Sequence, residues 1–176
     1  MASLDELIDA GGLVPPGEPF DWDQAENVLQ LRIPQDYRAL VDAGGDGLWF
    51  DYIRVYAPGE QYSDRNLLDS NGVFEDLQIF WENEFSTPPD DLPAGARLIA
   101  WASTGTGPVL YWLVEPEAAV DDPYPIYVQN ADGDAWERFE TTTTDFLRGV
   151  QQNTVRSTFF AEGFLERTQT FRTYPA

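Results

Sequence analysis

The chain has 176 residues, 43% hydrophobic and 14% aromatic, which suffices for one real core and is far too apolar for a disordered acidic tail. Against 31 Asp and Glu stand ten basic residues, all arginine, for a formal charge of -21; lysine, histidine and cysteine are absent. Those absences exclude Ser-His-Asp triads, cysteine nucleophiles, standard zinc sites, Schiff-base or phosphate-binding lysines, and disulfides. Carboxylate acid–base work, oxygen-ligand metal binding or no catalysis is what remains.

In chain order, Ser3 to Ala10 reads as one or two helical turns ended by Gly11-Gly12, and a Pro-rich connector runs on to Pro19. Asp21 caps a helix with Trp22, Ala25, Val28 and Leu29 at helical spacing. Pro34 opens a second helix at the position where its missing amide is harmless, with Tyr37, Leu40 and Val41 inward and Gly44-Gly45 as its stop. Leu48 to Tyr56, dense in aromatic and β-branched residues, predicts one strand. Gly72 to Phe85 predicts a helix whose inward face is Val73, Phe74, Leu77, Phe80, Trp81 and Phe85, with Glu75, Asp76, Glu82 and Asn83 opposite and Ile79 stranded among them. Short strands follow at Arg97–Trp101, Val109–Val114, Ile126–Val128 and Trp136–Phe139, separated by turn residues. A last helix starts in Thr141–Thr144 and carries Phe146, Leu147 and Val150. The tail beyond it, with Phe159, Phe160, Phe164, Leu165, Phe171 and Tyr174, has no readable element, although tails so aromatic usually pack back on their domain. This order predicts an α+β fold.

The charge speaks about partners. So negative a surface repels phosphate backbones and anionic membranes and attracts basic proteins, so neither direct nucleic-acid nor membrane binding is expected. No segment resembles a signal peptide or a spanning helix, and the chain reads as cytoplasmic. Residues 1–91 hold 20 acids against four arginines, residues 92–176 only 11 against six. This bias favours a specific acidic face, against the plainer reading that acidity serves solubility or salt adaptation.

Asn130, Asp132 and Asp134 alternate like calcium ligands, but Ala135 stands where the loop glycine belongs and Thr141 where the bidentate Glu belongs, so a plain turn is expected. Ser103 to Gly107 joins two strands and reads as a hairpin loop rather than a phosphate cradle. Glu115/Glu117 and Glu82/Glu84 are carboxylate pairs of the kind chance produces among 31 acids. No catalytic residue, cofactor or metal site is therefore assigned. Ile79, and with it Trp49, suits an interface with an apolar centre and charged rim. The predicted partner-binding set is Glu75, Asp76, Ile79, Glu82 and Glu84 on the helix, with Asp46, Asp64 and Asp69 from loops.

One set of residues is ordered in a familiar way. Trp22, Glu26 and Leu29 precede Leu31-Arg-Ile-Pro34-Gln-Asp36-Tyr37-Arg-Ala-Leu40. Gly44-Gly45-Asp46-Gly47, Tyr56-Ala-Pro58 and Asn66-Leu67 follow, then Trp101, Leu110-Tyr111-Trp112, Trp136-Glu-Arg-Phe139 and Asp145-Phe146-Leu147. This resembles the SUKH superfamily of bacterial immunity proteins and the yeast cell-wall-synthesis regulator, over about three quarters of the chain. Ile33 replaces the commoner Leu before Pro34. The resemblance divides the chain into an N-terminal extension (1–19), a SUKH-like domain (20–150) and an aromatic C-terminal tail (151–176).

The resemblance implies one α+β domain, its mostly antiparallel sheet flanked by helices, without catalytic residues. It further implies an immunity protein that neutralises a cognate polymorphic toxin, a basic nuclease or deaminase, by stoichiometric binding. A non-enzymatic regulatory scaffold for a cellular enzyme or assembly factor is the alternative, and a carboxylate-dependent hydrolase is permitted by composition alone.

Overall fold

The computed structural model describes residues 2–59, 66–118, 123–166 and 170–173. Among them the elements are α1 (Ala2–Gly11), α2 (Trp22–Leu29), α3 (Gln35–Gly44), β1 (Gly47–Trp49), β2 (Ile53–Val55), α4 (Ser70–Glu82), β3 (Arg97–Thr104), β4 (Val109–Val114), β5 (Ile126–Gln129), β6 (Trp136–Phe139), α5 (Thr143–Gln151) and β7 (Phe171–Thr173). No helix among the described residues is long and apolar enough to cross a membrane.

The seven strands form one antiparallel sheet in the order β6-β5-β4-β3-β2-β1-β7. The first six strands are neighbours in sequence order, and β7 returns from the chain end to lie against β1. Alternation along the strands sorts side chains to two faces. Ile99, Trp101, Leu110, Trp112, Ile126 and Val128 enter the larger core with residues of α1, α2, α3 and α5, whereas Leu98, Ala100, Tyr111, Leu113 and Tyr127 meet Phe74 and Leu77 of α4. A register shift between Ala100 and Ala102 breaks the alternation, so that Trp101 and Ala102 both face the larger core. There Trp101 stacks on Trp112 (centroids 6.0 Å apart), and Tyr37 meets Trp112 edge-on at 4.9 Å. The fold is thus α+β, with helices on both faces of one antiparallel sheet.

Local signals account for most boundaries. The Asp21 carboxylate accepts from Gln24 N at 3.0 Å, and Thr142 Oγ1 accepts from Asp145 N at 3.2 Å. Arg97 closes α2 by donating to the carbonyls of Leu29 and Gln30 (both 2.7 Å). Asp36 joins α3 to α5, its Oδ2 accepting from Thr144 N (2.8 Å) and Oγ1 (3.0 Å). Pro34 is the residue before α3 rather than its first, with ψ of 133°.

The strand predicted over Leu48–Tyr56 is in fact the β1–β2 hairpin. Phe50 and Asp51 turn the chain with φ of 58° and 53°, and Tyr52 N donates to Trp49 O. That turn holds no Gly, Asn or Pro, and it is secured from outside its own stretch: Phe50 N donates to Thr170 O at 2.7 Å. The two terminal segments also join the core. Leu4 and Leu7 of α1 are buried, Glu6 pairs with Arg148 of α5, and Phe164 and Phe171 of the tail are buried.

Candidate protein-binding face

Among the described residues, α4 is the one helix on its side of the sheet. A 3₁₀ turn over Leu67–Asp69 leads into it, capped by Asn66, whose Oδ1 accepts from Leu68 N at 3.0 Å. Ser70 is buried and donates to Ala100 O at 2.7 Å, tying the first turn to β3. Phe74 and Leu77 follow on the same seam and are buried, and Trp81 continues it, edge-on to Phe74 and Trp136. That seam at 70, 74, 77 and 81 is all a single helix on a sheet needs to bury.

The remaining surface of α4 is exposed. Glu75, Asp76, Glu82 and Glu84 all face solvent, and Ile79 is 51% exposed, as the helical phase predicts. The apolar face is narrower than the helical phase predicts: Val73, Phe80 and Phe85 are 39%, 47% and 77% exposed rather than inward. Among the described residues no second helix lies beside α4 to cover positions a quarter-turn off the seam.

Four costs to stability meet at the C-terminal end of this helix. Phe85 N donates to Phe80 O (2.9 Å) and Glu84 N to Trp81 O (3.2 Å), the hydrogen-bond pattern of a Schellman cap. The left-handed residue of that cap, where glycine is the favoured choice, is Glu84 at φ 61°, which costs about 1 kcal/mol. The negative end of the helix dipole is met by Glu82 and Glu84 with no basic residue in the last turn, against the usual preference. The cap delivers Phe85 into solvent beside half-exposed Phe80. Finally, Trp81 Nε1 and Ser86 Oγ are buried without a hydrogen-bond partner among the described residues.

The β5–β6 hairpin tip lies against the same end. Thr87 N donates to Gly133 O at 3.0 Å, and Trp136 Nε1 donates to Thr87 O at 2.6 Å. This sets the hairpin tip, with exposed Asp132 and Asp134, against Ser86 and Thr87 just past the end of α4. Their turn is closed by Asn130, whose Oδ1 accepts from Asp134 N and Ala135 N and whose amide donates to Asp134 Oδ1. No cluster of three or more potential metal-ligating side chains occurs among the described residues. Further along this face Arg138 is held by Asp91 and Glu140. The Tyr127 hydroxyl donates to Asp91 at 2.6 Å, which together with Arg138 lowers the Asp91 carboxyl below its ordinary range; burial and Asp91 push Tyr127 up to about 12.

Of the eight residues predicted to bind a partner, the structure gathers five, Glu75, Asp76, Ile79, Glu82 and Glu84, on one exposed surface. Asp69 is exposed at the other end of α4, about 20 Å from Glu82 by helix rise. Asp46 is only 3% exposed and makes two hydrogen bonds to Arg54 (2.6 and 3.2 Å), so it holds β1 to β2 and is not a surface acid. Trp49 is likewise buried at 1% and belongs to the core, not to an interface. Asp64 lies outside the described residues. Sequence reasoning missed Phe80, Phe85, Asp132 and Asp134; only the Schellman exit at Phe85 carries a local signal, an apolar residue just past a helix end.

No family model matches the chain, and neither a curated protein nor a solved structure matches it.

Proposed function

We propose that the protein is a non-enzymatic immunity protein that binds a basic toxin domain, a nuclease or deaminase, one to one and covers its active surface. The observation that carries this reading is the concentration of stability costs at the end of α4: an acid in a left-handed cap, acids on the negative helix pole, and exposed Ile79, Phe80 and Phe85. Costs of this kind persist where a partner makes use of them. An apolar centre within an acidic rim suits a basic partner, since the rim steers association and the centre supplies affinity. A nuclease must present a basic groove to its polyanionic substrate, and an acidic protein competes for that groove. The order of sequence blocks that resembles SUKH proteins supports the same reading.

The test is co-purification from native lysate at low and high salt, followed by titration of the captured partner. The proposal expects one basic partner, weakened by salt, whose nucleic-acid-directed activity is abolished at equimolar ratio. A captured housekeeping assembly whose activity is untouched would replace this reading with the scaffold.

A further inference from the structure

At the opposite end of the sheet from β6, the outer edge of β1 is filled by the chain's own C-terminal residues. Phe171 pairs with Trp49, Arg172 with Leu48 and Thr173 with Gly47, antiparallel. The Phe171 ring sits on Trp49 (centroids 4.8 Å apart) in a socket made by the absence of side chains: a Cβ on Gly47 would lie 1.9 Å from the ring, and one on Gly11 3.1 Å from the Phe171 Cβ. Arg172 Nε donates to Asp51 Oδ1 at 2.9 Å, and Phe50 N donates to Thr170 O. Both turn residues that receive the segment, Phe50 and Asp51, hold positive φ. An extended strand, one side chain in a glycine-floored socket and one cation on a carboxylate is how sheet edges recognise peptides.

Charge shows what fits this edge. Residues 152–176 contain three arginines and two acids, whereas the rest of the chain contains seven arginines and 29 acids. The segment on β1 thus comes from the basic part of an otherwise strongly acidic molecule. Two copies of the chain repel each other, while a basic strand from another protein is attracted.

We propose that the β1 edge is a recognition groove for an extended basic segment of a partner protein, carrying an aromatic residue followed by arginine, and that residues 170–173 are its internal competitor. An internal ligand lowers the apparent affinity for an external one by the fraction of time it leaves the groove. This assignment stands apart from the reading of α4, which lies across the sheet.

The probe is a fluorescent peptide with the sequence of residues 168–176, titrated against the full chain. Phe171→Ala should bind it about tenfold tighter than wild type does. Exchanging the peptide's Phe for Ala, or its Arg for Glu, should remove that gain, and adding Gly47→Ala to Phe171→Ala should return binding to the wild-type level. A folded Phe171→Ala chain that binds no tighter than wild type, or binds a scrambled peptide equally well, overturns the proposal. Should Phe171→Ala fail to fold, Arg172→Ala, which keeps the ring, should gain roughly threefold, and no gain overturns it equally. A wild-type dimer in sedimentation that Arg172→Ala weakens would assign the groove to a second copy and contradict the partner named here.

Discussion

Helices α4 and α5 lie on opposite faces of one sheet and end in the same hydrogen-bonded cap, built from different residues. At the end of α5, Thr154 N donates to Gly149 O and Asn153 N to Val150 O, with Asn153 left-handed at φ 63°. Asparagine tolerates that conformation, Arg148 sits in the last turn paired with Glu6, and Val155 folds back over Gly149, where a Cβ would stand 2.3 Å from its methyl. At the end of α4 the left-handed residue is glutamate, the last turn holds no basic residue, and the residue after the glutamate is an exposed phenylalanine. The same motif is optimised on one face and left costly on the other, and it is this difference on which the proposed recognition role of the α4 end rests.

The sharpest contrast is in the cores beneath. Trp112 is fully buried between Trp101 and Tyr37 and donates to Thr143 Oγ1 at 3.0 Å. Trp112→Ala should cost about 3–5 kcal/mol in urea unfolding. Trp81→Ala, at the half-buried end of the α4 seam, should cost clearly less.

Alkali should weaken both faces at once. Burial raises the Tyr37 hydroxyl in the larger core and the Tyr111 and Tyr127 hydroxyls under α4. The folded state keeps these protons above pH ~10, where the unfolded chain releases them, so the unfolded state binds fewer protons there. Stability is therefore complete below that pH and falls as pH rises, with the Tyr127 share exhausted as pH passes its folded value of about 12. Urea midpoints measured from pH 8 upward, with tyrosinate absorbance, check this; a flat profile to pH 11 would contradict it.

On the helix-rich face, Asp36→Ala leaves the buried Thr144 amide and hydroxyl without the carboxylate they share, at a cost of about 1–3 kcal/mol. The smallest change is the most telling. Glu84→Gly should stabilise the fold by about 1 kcal/mol while weakening partner binding. Asn153→Gly, the same exchange in the cap of α5, should move stability by only a few tenths of a kcal/mol and leave binding unchanged. Thermal unfolding of the two variants side by side reads the difference between the caps.

The parts of the fold legible in the sequence are those whose signals are local. Asp21 and Thr142 announce helix starts, a Pro- and Asp-containing stretch separates β4 from β5, Asn130 and Gly133 separate β5 from β6, and the phase of α4 places its acids and Ile79 outward. The parts that are not legible depend on distant partners. The Phe50–Asp51 turn is secured by Thr170 and Arg172, some 120 residues away, so its stretch reads as one strand. Asp46 looks like a loop acid until the β1–β2 hairpin brings Arg54 against it. Val73, Phe80 and Phe85 share an apolar arc that a second helix would cover, and only the fold shows that none lies there among the described residues. Phe171 is unreadable for the same reason, because its socket is floored by Gly11 and Gly47.

The central claim is that the end of α4 is a protein-binding site. The most direct test is the affinity of the captured basic partner for the wild-type chain and for Ile79→Asp, an exposed position whose change leaves unfolding within about 0.5 kcal/mol of wild type. The account predicts a loss of about tenfold or more, with Glu82→Ala losing less and acting chiefly on the association rate and its salt dependence. Equal affinity of all three proteins for that partner would contradict it.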